Sequence, residues 1–132
     1  MFPMNEEKTI LIIEDEKGLC EILKERLEKA GYKTLIANDG AAGFQGILEK
    51  KPNLVILDLN LPKITGEEIC KEIKDSYDKG LSRIPIVIIT AKNDDVDRVC
   101  GMAMGADAYL TKPFSLECLM NEILRLLPAF SF

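Results

Sequence analysis

The sequence predicts an α/β protein in which a five-stranded parallel sheet is covered by helices on both faces. Apolar runs rich in β-branched residues recur along the chain, which is typical of strands buried on both faces. Segments with a helical spacing of apolar residues separate these runs. Strands that alternate with helices form a parallel sheet with right-handed crossovers. We therefore expect a doubly wound fold, and a length of 132 residues suits one domain.

Five segments are predicted as strands. Four of them are continuous apolar runs, whereas the second is less apolar. In chain order the predicted strands are residues 10–13, residues 34–37, residues 54–57, Ile84 with residues 86–89, and residues 108–110.

Five further segments are predicted as helices. The first carries apolar residues from Leu19 to Ala30 and ends at Gly31, since glycine often follows the last helical residue. The second, over residues 40–48, is a poorer helix because Gly43 and Gly46 lie inside it. The third helix carries Ile69 and Ile73 and begins with a capping box of Thr65 and Glu68. The fourth spans residues 96–103 and stops at Gly105. The fifth spans residues 116–127 and is capped by Ser115.

The domain is expected to span residues 8–127, between tails at residues 1–7 and 128–132. Its net charge of -5 argues against nonspecific binding of nucleic acid. No apolar run approaches the roughly 20 residues of a membrane span, and the N-terminus is too short and polar for a signal peptide. We therefore expect a cytoplasmic protein that does not enter membranes.

The cysteines are too far apart in sequence for a CxxC pair, and the absence of histidine excludes a Cys/His zinc site. Each lies beside apolar residues in a predicted helix, so we expect small core or half-buried side chains. They are Cys20, Cys70, Cys100 and Cys118. Unpaired, reduced cysteines agree with a cytosolic compartment.

Polar residues follow the strongly predicted strands, at the points where these strands end. Glu14, Asp15 and Glu16 follow the first strand, and Asp58 follows the third. Thr90 ends the fourth strand, and the Lys112–Pro113 pair follows the fifth. In a doubly wound fold the carboxyl ends of the strands form the functional crevice. We therefore expect carboxylates, a hydroxyl and an ammonium group in one pocket.

Such a pocket suits a magnesium ion and a phosphoryl group. Carboxylates held together repel one another and need a cation. Hard oxygen ligands with open coordination positions are typical of Mg²⁺. Lys112 and Thr90 would stabilise the oxygens of a phosphoryl group passing onto a carboxylate.

Four segments together resemble the receiver domain of bacterial response regulators. They are ILIIEDE at 10–16, LVILDLNLPKITGEE at 54–68, IVIITAK at 86–92 and GADAYLTKPF at 105–114. The resemblance covers residues 8–127 and implies a flavodoxin-like sheet with strand order 2-1-3-4-5.

The resemblance also implies the roles of individual residues. Asp58 corresponds to the phosphoacceptor, and Asp15 to a direct Mg²⁺ ligand. Glu14 stands where the family often has Asp and is expected to act on the metal through a water molecule. Asn60 corresponds to the residue whose backbone carbonyl binds the metal.

The remaining roles concern the switch. Thr90 corresponds to the hydroxyl that moves toward the phosphoryl group, Lys112 to the cation that pairs with it, and Tyr109 to the aromatic switch residue. The Lys112–Pro113 bond corresponds to a cis peptide.

The function implied is a switch in two-component signal transduction rather than a metabolic enzyme. The resemblance implies that a histidine kinase or histidine phosphotransfer protein donates the phosphoryl group. This chain has no histidine, so the donor must be another molecule. A downstream partner or a second copy would bind the surface formed by residues 96–104, the strand of Tyr109 and residues 115–127. The chain is either a stand-alone regulator or a receiver from a longer protein.

Three alternatives belong to other classes. A phosphatase of the haloacid dehalogenase type would have a D-x-D motif, whereas this chain has Asp58-Leu59-Asn60. A flavodoxin-like electron carrier would have a phosphate-binding loop where Glu14, Asp15 and Glu16 stand. A degenerate receiver would act only by binding partners and would not bind beryllofluoride.

Overall fold

A computed structural model describes residues 7–91 and 102–127. Within them, five parallel strands form one sheet in the order β2-β1-β3-β4-β5, as the resemblance implied. The strands are β1 (Thr9–Ile13), β2 (Lys33–Ala37), β3 (Leu54–Asp58), β4 (Ile86–Thr90) and β5 (Ala108–Thr111). The predicted flavodoxin-like α/β fold is therefore confirmed.

Five helices lie in the described part of the chain: α1 (Lys17–Lys29), α2 (Gly40–Lys50), α3 (Gly66–Lys74), α4 (Lys79–Ser82) and α5 (Leu116–Leu126). The short helix α4 was not predicted, because a single turn has no apolar periodicity of its own. The predicted helix over residues 96–103 falls largely outside the described residues.

The helix ends follow the local sequence. The hydroxyls of Thr65 and Ser115 accept hydrogen bonds from the backbone N–H groups of Glu68 (3.2 Å) and Cys118 (3.0 Å), as capping predicted. Gly31 has φ +98° after α1, a conformation that glycine adopts without strain. The local sequence thus fixes the starts of α3 and α5 and the end of α1.

Apolar side chains of the sheet alternate between two cores. Leu11, Val55 and Leu57 face the core that packs against α2 and α3. Ile10 and Ile56 face the core that packs against α1 and α5. Because every residue of β3 and β4 is buried, these central strands hold their carboxyl ends in fixed positions.

Helix α2 forms although it contains the glycines that made it a poor prediction. A Cβ atom on Gly43 would lie 2.6 Å from the side chain of Ile13, closer than real Cβ atoms approach. Glycine is therefore required there by the close packing of α2 on β1, and this packing compensates for low helix propensity.

Some predicted details are wrong. The fourth strand does not include Ile84, because Pro85 lacks the N–H group that a ladder needs and the strand begins at Ile86. Ile22 and Leu124 belong to the apolar repeats that predict α1 and α5. Ile22 is nevertheless 52% exposed and Leu124 45% exposed, because each lies at the margin of its helix's apolar stripe. Cys118 is also exposed, since it lies off the stripe of α5, whereas Cys20 and Cys70 are buried as predicted. Cys100 lies outside the described residues.

Among the described residues, no helix combines the length and the apolar character that crossing a membrane requires.

Candidate functional site

The site lies where the carboxyl ends of β1 and β3 adjoin each other. Register pairs Ile13 of β1 with Leu57 of β3, so the residues that follow, Glu14 and Asp58, are neighbours. Glu14, Asp15 and Asp58 each offer a carboxylate oxygen, and these three oxygens lie within 4.8 Å of one another. Glu14 and Asp58 are buried, whereas Asp15 is exposed. The predicted acidic cluster therefore exists and opens to solvent on one side.

Lys112 reaches this cluster from the loop after β5, the edge strand of the sheet. Its Nζ lies 2.6 Å from Glu14 Oε1, 3.2 Å from Asp58 Oδ2 and 4.0 Å from Glu16 Oε2. Its backbone N–H donates to the carbonyl of Thr90 (2.7 Å), and the Lys112–Pro113 bond is cis, as predicted. The loop after β5 is thus tied to the end of β4 and carries the ammonium group over β3 to β1.

Glu14 is fully buried, and its environment changes its protonation. Burial raises its pKa from the ordinary 4.5 to about 7, although hydrogen bonds from Lys112 and from the N–H of Glu16 (3.1 Å) act in the opposite direction. Burial also disfavours the charge of Lys112, but the hydrogen bond to Glu14 and the charge of Asp58 outweigh it, so the pKa of Lys112 is raised. The two groups thus form a hydrogen-bonded pair in which Glu14 is buried and Lys112 is partly exposed.

Asp58 is held at the start of the loop that carries Asn60. The carboxylate Oδ1 accepts a hydrogen bond from the backbone N–H of Asn60 (3.1 Å), while Oδ2 contacts Lys112. Gly66 closes this loop by donating its N–H to the carbonyl of Leu59 (3.1 Å). A Cβ atom on Gly66 would lie 2.5 Å from the carbonyl oxygen of Asp58, so glycine is needed for this close approach.

Thr90 and Tyr109 lie on the same face of the sheet. Tyr109 pairs in register with Ile88, which is two residues before Thr90. Thr90 is fully buried at the end of β4, and Tyr109 is 4% exposed within the core beside α3. The structure therefore brings together the two predicted switch residues, while the movement expected of them stays a prediction.

Two residues that support Glu14 were missed in the sequence. Asn38 Nδ2 donates to the carbonyl of Glu14 (3.0 Å), and the thiol of Cys20 contacts the same oxygen at 3.3 Å. Asn38 directly follows β2, so the rule that polar residues at strand ends form the site could have identified it. The contact of Cys20 had no signal in the sequence, because its apolar neighbours indicate only burial.

The donor atoms fit a hard divalent cation. Three carboxylates supply oxygen ligands, and Asp15 is exposed, which leaves room for water and for an incoming group. The backbone carbonyl of Asn60 lies on the loop bonded to Asp58. No histidine exists in the chain and the described cysteines lie outside the cluster, so soft-metal coordination is not favoured.

Comparisons with known proteins identify relatives over nearly the whole chain. The family model of the response regulator receiver domain matches residues 10–124. Among solved structures, the chain is similar to the signal receiver domain of a signal transduction histidine kinase from Syntrophus aciditrophicus. The two are 33% identical, with 91% of this chain and 89% of that chain covered and a TM-score of 0.82.

Two further structures show the same relationship. A two-component response regulator from Clostridium difficile is 30% identical, with 92% of this chain and 96% of that chain covered and a TM-score of 0.83. A chemotaxis response regulator of Vibrio cholerae is 26% identical, with 92% and 99% covered and a TM-score of 0.83. Sequence and structure thus agree on one family, and neither the phosphatase nor the electron-carrier alternative is supported.

Proposed function

The chain belongs to the response regulator receiver family, and on that premise we propose that it is a phosphorylation-dependent switch with Asp58 as its phosphoacceptor. The observation that carries the proposal is the position of Asp58, which is buried beside Glu14 and has both carboxylate oxygens engaged, one by the N–H of Asn60 and the other by Lys112. A carboxylate held this way is oriented for attack on a phosphorus atom.

The reaction is transfer of a phosphoryl group from a phosphohistidine of a histidine kinase or phosphotransfer protein. An oxygen of Asp58 forms a bond to phosphorus while the bond from phosphorus to the histidine nitrogen breaks. The nitrogen keeps the electron pair of that bond and takes up a proton, and Asp58 becomes an acyl phosphate. Later attack by water on phosphorus regenerates the carboxylate and releases phosphate.

We assign the metal site to Glu14, Asp15, Asp58 and the backbone carbonyl of Asn60, with Mg²⁺ as the ion. When bound, Mg²⁺ neutralises negative charge on the transferring phosphoryl group. Asp15 is the exposed member of the set and is assigned as a direct ligand. Glu14 already pairs with Lys112 at 2.6 Å, which supports its assignment as a ligand acting through water.

Lys112 and Thr90 complete the chemistry. The ammonium group lies 3.2 Å from Asp58 Oδ2 and can turn from Glu14 toward the new phosphoryl oxygens. Thr90 ends the neighbouring strand, and its hydroxyl is assigned as the second donor to those oxygens. Inward movement of Thr90 would alter the packing around Tyr109 and transmit the change.

The output we propose is binding of a downstream partner, or of a second copy, to the surface formed by residues 96–104, β5 and α5. Most of the first of these segments lies outside the described residues. The domain acts on its own phosphorylation and hydrolysis rather than on a metabolite, and we place this activity in the cytoplasm.

Phosphorylation by acetyl phosphate in the presence of Mg²⁺ tests the proposal. The wild-type protein should gain the mass of one phosphoryl group, and Asp58→Asn should gain none because an amide is a poor nucleophile. Asp75→Asn is the matched control, since Asp75 is an exposed acid at the end of α3. Labelling of Asp58→Asn at the level of Asp75→Asn would overturn the assignment. Failure of the wild type to be labelled or to bind beryllofluoride would favour the degenerate receiver.

A further inference from the structure

The loop after β3, residues 59–65, is held at a second place besides its closure by Gly66. This loop carries Asn60 and lies against the N-terminus of α2. The N–H of Gly40, the first residue of α2, donates to the carbonyl of Pro62 (3.1 Å). Because this N–H belongs to the first turn, it has no partner within the helix and is available to the loop.

The contact between Gly40 and the loop leaves no room for a side chain. A Cβ atom on Gly40 would lie 1.7 Å from the carbonyl oxygen of Ile64 and 2.6 Å from its carbonyl carbon. Real Cβ atoms essentially never approach closer than 3.0 Å, so the loop backbone would have to retreat by more than an ångström. The obstacle is backbone rather than a flexible side chain, and it cannot be relieved by a rotamer change.

An exposed ion pair lies beside the same contact. Asp39 caps α2 by accepting from the N–H of Ala42 (2.8 Å), and its other oxygen lies 3.4 Å from the ammonium group of Lys63. Lys63 has φ +72°, which is uncommon for a residue other than glycine. The loop is thus fixed in a conformation that depends on its surroundings.

We propose that Gly40 is a positioning residue for the metal site, which it serves by fixing the loop that presents the carbonyl of Asn60. The inference rests on the proposed function and extends it to a helix that contributes no ligand. Mg²⁺ requires near-ideal octahedral geometry with ligands at about 2.0–2.1 Å, so a loop displaced by an ångström binds it poorly. Residues that orient metal ligands typically change affinity by about 10- to 100-fold when altered.

The first test is the Mg²⁺ dissociation constant of Gly40→Ala, measured by NMR titration. We expect it to rise about tenfold or more. Gly46→Ala, on the same helix, is the matched control. Its Cβ would meet only the side chain of Leu11, at an ordinary contact distance of 3.4 Å. Gly43→Ala controls for destabilisation, since its Cβ clashes with Ile13 and not with the loop.

The Mg²⁺ dissociation constant should rise in Gly40→Ala and stay unchanged in Gly46→Ala. In Gly43→Ala it should rise far less than in Gly40→Ala. Equal losses in Gly40→Ala and Gly43→Ala would reduce the effect to general destabilisation and overturn the inference. Unchanged affinity in Gly40→Ala would overturn it as well. If the wild type is phosphorylated on Asp58, either result leaves the proposed function intact.

A second test uses the wild type alone and decides the matter if Gly40→Ala does not fold. Coupling between two sites is reciprocal, so a contact that favours Mg²⁺ binding must be stabilised by Mg²⁺. Hydrogen exchange of the Gly40 amide, which bonds to Pro62, should therefore slow when Mg²⁺ is added. An exchange rate that Mg²⁺ leaves unchanged would contradict the proposal.

Discussion

Glu14 and Lys112 form the central contact of the site at the scale of single residues. They lie 98 positions apart in sequence and 2.6 Å apart in the structure. Such a partly buried ion pair contributes little net stability, but removal of Lys112 leaves the buried Glu14 without a compensating charge. The pair therefore serves to hold Lys112 beside Asp58.

The three acids differ in how they are expected to serve the metal. Asp15→Asn should weaken Mg²⁺ binding more than Glu14→Gln, because Asp15 is exposed to solvent whereas Glu14 is engaged by Lys112. The dissociation constants can be measured by calorimetry. Glu16→Gln is the control, since Glu16 is an exposed neighbouring acid outside the ligand set. Equal losses in Asp15→Asn and Glu14→Gln would refute this ranking.

The raised pKa of Glu14 predicts a pH dependence of stability in the metal-free protein. Between its ordinary value of 4.5 and about 7, the folded state binds the proton more tightly than the unfolded state does. The free energy of unfolding should therefore fall as pH rises through this window, by on the order of 2–3 kcal/mol. Urea unfolding with a chelator present measures it.

Glu14→Gln provides the comparison, because glutamine does not titrate. Its free energy of unfolding should change less across the same window, so that the variant gains stability relative to the wild type as pH rises. Parallel curves for the two proteins would mean that Glu14 is not the group responsible.

At the scale of elements, much of the architecture could be predicted because the strands are continuous apolar runs. The details that were missed or only weakly predicted had causes beyond apolar periodicity. Helix α4 is one turn long, and α2, predicted as a poorer helix, depends on the fit of Gly43 against Ile13, which belongs to another element. Ile22 and Cys118 show that periodicity identifies the apolar face of a helix better than its margins.

One contact links the end of α5 to the start of β2. The hydroxyl of Tyr32, a buried residue just before β2, donates to the carbonyl of Leu127 (2.6 Å). This carbonyl belongs to the residue that caps the end of α5, where backbone carbonyls need partners outside the helix. Tyr32 therefore fixes the end of a helix that belongs to the proposed output surface.

Tyr32→Phe should lower the free energy of unfolding by about 1 kcal/mol, because it removes one buried hydrogen bond and keeps the ring. Tyr77→Phe should have no effect, since Tyr77 is fully exposed. Urea unfolding of both variants measures the difference. Equal stability of Tyr32→Phe and the wild type would show that the hydrogen bond contributes nothing to the attachment of α5.

At the scale of the whole molecule, the position of the site followed from a general rule. Residues at the carboxyl ends of parallel strands converge, so Glu14, Asp58 and Thr90 could be placed together from the sequence. The distances could not be, because the reach of Lys112 to Glu14 depends on the packing of β5 and its following loop. The support from Gly40 was hidden for the same reason, since it exists only where α2 meets the loop after β3.

The proposed switch connects this site to a distant surface. With beryllofluoride and Mg²⁺, NMR signals of β5, α5 and residues 96–104 should shift in the wild type and shift much less in Thr90→Ala. The reason is that the hydroxyl is the group expected to move toward the phosphoryl oxygens. Shifts confined to the loops around Asp58 in the wild type would show that the molecule does not signal through this surface.

The most direct test of the central claim is to locate the phosphoryl group on the wild-type chain. Borohydride reduces an acyl phosphate of aspartate to homoserine, which peptide mass spectrometry identifies by position. After treatment with acetyl phosphate and Mg²⁺, we predict homoserine at position 58 and aspartate at position 15. Homoserine at another position, with Asp58 unchanged, would contradict the assignment of Asp58 as the phosphoacceptor.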